Sequence, residues 1–283
     1  GPAADPTAGV AMIRLILLML VLLPWADAVP AQPSDPTARG RAWLRAQQRD
    51  DGAIADRRNP LFETWETILA AHALRTSDDP ADRQAVAAAL AFLATQAGPQ
   101  GTLCHNRRCL GATCIETTAE YWRLRRLADD ARVPASVLGA VRSLQQPDGR
   151  FRIGNPDVVA QTDFPSVTAF ALTLVAADRR SRVSGARWLR RVQDDRGLFG
   201  VAWEYYGTEA YAAWAVAGAW AGDRRHANDE ARTRLRNRLV ATQTTDGSWP
   251  APAGDGSNVS AELVSALSML ALQSLDPESD ALP

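Results

Sequence analysis

The chain has 283 residues, 46% of them hydrophobic, and a formal net charge of -1. It can therefore bury a substantial core, and it has no charge excess of the kind that draws a protein to nucleic acid or anionic membrane. All 31 basic residues are arginine, which excludes Schiff-base chemistry, a pyridoxal-phosphate anchor and the lysine of a phosphate-binding loop.

In chain order, Met12-Ile-Arg14 opens an apolar run from Leu15 to Leu23, and Ala26-Asp-Ala28 follows with the small-x-small form of a cleavage site. The run is too short to span a bilayer but suits the core of an export signal. Residues 12–28 are thus expected to be a secretory signal peptide, the alternative being an uncleaved anchor or a buried helix. The expected location is periplasmic or secreted, with no stable membrane span after processing. Residues 29–37, with Pro30, Pro33 and Pro36, read as a linker. Residues 38–276 read as one helical domain, and 277–283 as a C-terminal tail.

Within that domain an apolar-periodic helix runs five times into a glutamine, a short polar turn and a glycine, at a spacing of about 48 to 50 residues. The copies are Gln48-Arg-Asp-Asp-Gly52, Gln96 to Gly101, Gln145-Gln-Pro-Asp-Gly149, Gln193-Asp-Asp-Arg-Gly197 and Gln243-Thr-Thr-Asp-Gly247. Such self-similarity means that one supersecondary unit is repeated and that no copy buries its apolar face alone. In each copy an amphipathic helix stops at the glycine, a loop follows, and a second, far more apolar helix begins near Glu66, Glu116, Ser166, Glu209 or Glu262. A helix apolar on nearly every side is buried on nearly every side. The expected fold is all-α: an (α/α) toroid of five to six helical hairpins, with an inner ring of apolar helices around a central cavity and arginine-rich helices outside.

Gln243-Thr-Thr-Asp-Gly247-Ser-Trp249 matches a Q-x-x-x-G-x-W pattern, and Gln145 to Phe151 and Gln193 to Phe199 vary its last aromatic. This repeat resembles that of squalene-hopene and oxidosqualene cyclases. It implies the α/α toroid which those enzymes share with protein prenyltransferase β-subunits and complement-type thioester domains. Aromatic-rich, glycine-turned repeats of this kind are also similar to those of one pectate-lyase family. Because that fold hosts unrelated chemistries, the resemblance speaks for the fold more than for the activity.

Each loop after a glycine leads to the N-terminus of an inner helix, so the loops should gather on one rim, where unpaired N–H groups and positive dipole ends favour carboxylates. Glu63, Glu66, Glu116, Asp163, Glu204, Glu209 and Glu262 stand there, either as a ring holding a general acid beside an ionised base or as ordinary first-turn acids. Among them Glu66, Glu116, Asp163, Glu204 and Glu209 are the catalytic candidates, together with Cys114. Trp65, Tyr121, Phe164, Trp203, Tyr205 and Tyr206, with Glu63 and Glu262, are the ligand-binding candidates, since aromatic faces stabilise cations or stack on sugars. The same aromatics could equally fill the core.

Every cysteine lies in one loop, Cys104-His105-Asn-Arg-Arg-Cys109-Leu-Gly-Ala-Thr-Cys114. Cys104, His105, Cys109 and Cys114 could together bind zinc, although one disulfide with one free thiol is the better reading for an exported chain. Spacing does not choose the pair. A free Cys114 would sit at a helix N-terminus, where the dipole lowers a thiol pKa and makes it a candidate nucleophile.

Measured against the families it resembles, the chain lacks their decisive residues. There is no Asp-x-Asp-Asp box; Ala112 stands where the prenyltransferase zinc aspartate would precede Cys114; and Cys114-Ile-Glu116-Thr117 lacks the glutamine of a thioester. The reading is an exported cavity enzyme of terpenoid-cyclase or prenyltransferase-like ancestry acting on a partly apolar ligand. No cofactor is required, and zinc is an option. Its partner would be a small molecule, such as a lipid or isoprenoid-like ligand, or an oligosaccharide, and not nucleic acid. The alternatives are a periplasmic polysaccharide lyase or hydrolase, and a non-catalytic ligand-binding or scaffold protein.

Overall fold

A computed structural model describes residues 36–55, 62–106, 109, 111–154, 164–200, 209–221, 230–250 and 261–275. The expected signal peptide, the linker as far as residue 35 and the tail lie outside these residues. So do Asp163, Trp203, Glu204, Tyr205 and Tyr206, and the side chain of Glu262. Two compact units divide at Ala42 and Trp43. The described part of the first is the opening of a helix, α1 (Pro36–Ala46), which begins two residues before the expected domain start because proline's fixed φ suits a first helical position.

After α1 come α2 (Glu63–Leu74), α3 (Pro80–Gln96), α4 (Ile115–Asp129), α5 (Ala135–Ser143) and α6 (Pro165–Leu174). They are followed by α7 (Arg179–Val192), α8 (Glu209–Ala221), α9 (Glu230–Thr242) and α10 (Ala261–Leu275). Among the described residues there is no strand, only isolated bridges between Gln48 and Ile54 and between Gln145 and Phe151. The even-numbered helices pack on one another in chain order, from α2 on α4 to α8 on α10, with α3 against α2, α7 against α6 and α9 against α8 and α10. This is the α/α toroid arrangement, with ten helices among the described residues.

Composition decides which helix goes inside. In α6 every residue except Thr173 is buried, and α8 buries all but Glu209, Trp214, Gly218, Ala219 and Ala221. In the outer α7, by contrast, Gly185, Ala186, Trp188 and Leu189 form a narrow buried stripe, and Arg179, Arg180, Arg187 and Arg191 are exposed, as amphipathic periodicity requires. Asp178 caps this helix, its side chain accepting from the Arg180 and Ser181 N–H groups, which satisfies two of the orphan donors of the first turn. One inner helix is less apolar than expected: α4 is buried from Ile115 to Trp122, but Arg123, Arg125 and Arg126 follow in its last turns.

The glutamine and glycine of the repeat have separate jobs. Gln48 Nε2 donates to its own Gly52 carbonyl at 3.0 Å and to Ala85 O of α3 at 2.9 Å. Gln145 repeats this toward Gly149 and Ser181 of α7, and Gln193 toward Gly197 and Ala231 of α9. The side chain thus closes the turn and fastens it to the next outer helix. The glycine lies in the contact itself: a Cβ on Gly149, whose φ is 101°, would stand 2.3 Å from the Ser184 carbonyl oxygen. The second copy departs from the pattern, since Gln96 Nε2 meets Thr95 and the link to α5 is made by Ser136 Oγ donating to Gln100 O.

A further recurring bond ties each turn to its inner helix. The N–H groups of Ile54, Leu103, Phe151 and Trp249 donate to the hydroxyls of Thr67, Thr118, Thr168 and Ser265. A buried N–H without an acceptor costs about 1–3 kcal/mol, so one small hydroxyl per inner helix does structural work inside an otherwise apolar run. α8 has neither serine nor threonine, so the fourth copy does not share this device.

Candidate functional site

At the end of the toroid where the inner helices begin, the acids have different surroundings. Glu63, buried, accepts from Arg49 Nη2 at 2.8 Å, and Glu209 accepts from Arg196 Nη2 at 2.7 Å. Both arginines belong to the glutamine-to-glycine turns and also bind an aspartate of the same turn, Asp51 or Asp194. These two carboxylates therefore join a turn to the helix that follows it. Glu116 is 6% exposed and accepts from Ser166 Oγ of α6 at 2.9 Å. Glu66 is half-buried on α2.

The aromatic candidates are divided as well. Trp65 is buried edge-on to Phe170, with ring centroids 6.3 Å apart. Tyr121 is buried against Trp122, and its hydroxyl accepts from Arg125 Nη1 at 3.0 Å, an arrangement that fills and fastens the core. Phe164 is the half-buried N-cap residue of α6.

Within the cysteine loop, Cys104 and Cys109 form a disulfide, with Cα atoms 5.7 Å apart. His105 stacks on Phe62, and its carbonyl accepts from the Thr64 N–H at 3.1 Å, pinning the loop to the start of α2. Donor atoms of Cys104, His105 and Cys109 all lie within 4.8 Å of one another, but in the disulfide state neither sulfur is a thiolate, and zinc needs thiolate ligands. Cys114 remains a free thiol at the N-cap of α4. The expectation of a lowered pKa fails there: burial, reinforced by the nearby Glu116 charge, pushes the thiol up to about 12. Desolvation outweighs the helix dipole because the sulfur is sealed from water. Native protein at pH 8 is expected to leave Cys114 unlabelled by iodoacetamide and to yield one labelled thiol per chain after unfolding. Stoichiometric labelling of the native protein would refute that assignment.

The cavity lies elsewhere. A space of about 360 Å³ is lined by Phe170, Leu172 and Thr173 of α6 and by Trp214, Gly218 and Trp220 of α8. Glu120, Arg123 and Arg126 of α4, Arg182 and Ala186 of α7 and Ser274 of α10 complete the wall. Apart from Arg182 and Ala186 on the outer α7, these residues stand in the middle and later turns of the inner helices, whereas the acids above stand in the first turns. At 1.5 Å per residue, Glu116 and Arg126 are roughly 15 Å apart along the α4 axis. The volume falls within the usual range for small-molecule sites, and so does the mixture of aromatic wall and a few polar groups. Phe170 and Trp214 meet edge-on, with centroids 5.5 Å apart.

Glu120 is the acid of this cavity. It is 3% exposed, lies one turn below Glu116 on the same face of α4, and its Oε2 is 3.1 Å from Arg123 Nη1 and 3.2 Å from His72 Nε2 of α2. Burial alone would push this carboxyl up, but the bonds and charges of His72 and Arg123 outweigh burial and hold it below its ordinary value of 4.5. A depressed folded pKa stabilises the fold fully above the unfolded value and ceases to do so as pH falls through the folded value. Glu120→Gln is therefore expected to flatten the loss of thermal stability below pH 4.5, as read from melting temperatures across that range. An unchanged acid limb would contradict the ionised pair. Glu120 and His72 escape notice in the sequence, because one lies inside a helix read as core and the other is a single histidine with no partner at motif spacing.

The architecture and the cavity together define a helical toroid with an aromatic-walled pocket. No family model and no curated protein matches the sequence. Among solved structures, the chain is similar to a protein from Actinoplanes at 18% identity and a TM-score of 0.67, over 87% of this chain and 76% of that one. It is also similar to the type II terpene cyclase MstE from Scytonema in its apo form, at 19% identity and a TM-score of 0.64, over 85% and 73% of the two chains. A variant of that cyclase in complex with its substrate, geranylgeranyl dihydroxybenzoate, matches at 18% identity with a TM-score of 0.64, over 85% and 72%. At such identity the likeness shows a shared fold.

Proposed function

We propose that this is an exported cavity enzyme of terpenoid-cyclase or prenyltransferase-like ancestry, acting on a partly apolar, isoprenoid-like ligand held among the later turns of its inner helices. The observation that carries the proposal is the cavity of about 360 Å³ walled by Phe170, Leu172, Trp214 and Trp220 next to a buried carboxylate. The cyclase neighbours, one of them with a geranylgeranyl compound bound, support the ligand class. Aromatic faces beside an ionised Glu120 would stabilise positive charge developing on such a ligand. An ionised carboxylate is a poor acid, so protonation of an alkene is not assigned to Glu120. Glu116, one turn above and hydrogen-bonded by Ser166, does not line the cavity and stays a catalytic candidate of the helix-start rim.

The remaining acids at the helix starts, Glu66, Asp163 and Glu204, are supporting candidates. Glu63 and Glu209 hold turns in place. No helix among the described residues is long and apolar enough to cross a membrane, and the Cys104–Cys109 disulfide fits an oxidising compartment. Zinc would enter this scheme only after reduction of that disulfide, when Cys104, His105 and Cys109 regain ligand character.

Tryptophan fluorescence titration with farnesol, farnesoic acid and a tetragalacturonate tests the reading. Binding of the prenyl compounds, weakened by Trp214→Ala, is the expected result. Binding of the oligosaccharide alone would replace this reading by a polysaccharide-processing one.

A further inference from the structure

The cavity contains a cation that the fold does not use. Arg182 of α7 lines it, is only half-exposed, and its guanidinium makes no hydrogen bond or ion pair among the described residues, with Nε buried and unsatisfied. The repeat supplies a comparison within the same molecule. The turn glutamines bond to Ser181 O in α7 and to Ala231 O in α9, which makes Arg182 and Arg232 equivalent positions one residue further on. Arg232 is 8% exposed and donates to Trp220 O at 3.1 Å and Leu275 O at 3.4 Å, so it ties down the carbonyl ends of α8 and α10. Arg182 has the same place in its own copy but, among the described residues, no carbonyl to hold.

Two further observations concern the same wall. Arg126 also lines the cavity and makes no ion pair among the described residues, while Arg123 is engaged by Glu120. The cavity therefore holds three guanidinium groups against one carboxylate, and two of the three, the half-exposed Arg182 and the exposed Arg126, have no partner among the described residues. A buried Nε without an acceptor is shared with Arg232; what sets Arg182 apart is that its terminal guanidinium nitrogens have no described partner either, and a buried unpaired donor calls for an explanation such as a bound ion. Trp220 Nε1, bordering the same cavity, is likewise buried with no acceptor among the described residues.

We infer that Arg182, with Arg126, forms a seat for the anionic end of the ligand, a carboxylate or a phosphate whose oxygens accept from the guanidinium while the apolar body lies on Phe170 and Trp214. The inference rests on the cavity reading above and adds the charge of the ligand to it. Guanidinium is suited to this role because it stays charged at every working pH and presents paired donors to two oxygens of one oxyacid.

The test compares farnesol, farnesoic acid and farnesyl monophosphate on wild-type protein, Arg182→Gln and the surface control Arg187→Gln, by fluorescence titration. The expected result is tighter binding of at least one anionic compound than of farnesol, with Arg182→Gln losing roughly 10- to 100-fold of that anion affinity while its affinity for farnesol is unchanged. The larger of the two anionic preferences identifies carboxylate or phosphate. Equal affinity for alcohol and anions, or an Arg182→Gln loss that is the same for all three compounds, overturns the seat but leaves the cavity reading in place. Binding of none of the three by the wild type overturns both.

Discussion

Alanine at Gly149 is expected to lower stability by about 3–5 kcal/mol. The residue has a φ of 101°, and a Cβ there would stand 2.3 Å from Ser184 O and 2.6 Å from its carbonyl carbon. The left-handed backbone alone costs an L residue roughly 1–2 kcal/mol. The remainder comes from separating the turn from α7, which also stretches the bonds of Gln145 to Ser181 O and Ser184 Oγ, both 3.0 Å long. Gly139 is the control: it lies in the helical interior of α5 with open space around an added Cβ, so Gly139→Ala should be neutral or stabilising by up to about 1 kcal/mol. Denaturant midpoints of the two variants decide the matter. A Gly149→Ala protein as stable as Gly139→Ala would mean that the turn-to-helix contact does not hold adjacent hairpins together.

Leucine at Gly218 should act in opposite directions on stability and function. Gly218 lines the cavity on α8, and a Cβ added to it meets nothing within 4 Å. Removing a helix-interior glycine stabilises by roughly 0.5–1 kcal/mol, and a melting temperature higher by about 2–4 °C would report it. The new side chain projects into a space of about 360 Å³, so ligand affinity should fall at least about tenfold, a loss of at least about 1.4 kcal/mol of binding free energy. Stability and binding are rarely moved in opposite directions by a defect in packing, which is what makes the variant informative. Unchanged affinity would place the ligand elsewhere.

The fold was legible because its governing residues recur. A glycine needed at positive φ under a neighbouring carbonyl, and a glutamine that closes the turn, leave a period of about 48 to 50 residues in the sequence. The hydroxyl of Thr67, Thr118, Thr168 or Ser265 recurs as well, but a lone threonine in an apolar helix carries no visible signal until its N–H partner is known.

The cavity was less legible. Attention to the segments after each glycine leads to helix starts, where Glu63 and Glu209 turn out to be paired with turn arginines. The pocket is built from later turns, where Ala215-Val-Ala-Gly218 reads as plain core and Arg123 to Arg126 as a solvated face. Arg182 is one arginine in a helix of six. Only its placement, and the contrast with Arg232, sets it apart. For Cys114 the helix dipole favours a thiolate, but burial is a tertiary property and it decides the sign.

Native mass spectrometry of the intact protein with an excess of farnesoic acid, run in parallel on Gly218→Leu, tests most directly whether the inner-helix cavity is a ligand site. The account predicts a one-to-one adduct on the wild type, absent or strongly reduced on the variant. A wild type that takes up no prenyl compound, or an adduct equally abundant on both proteins, would contradict it.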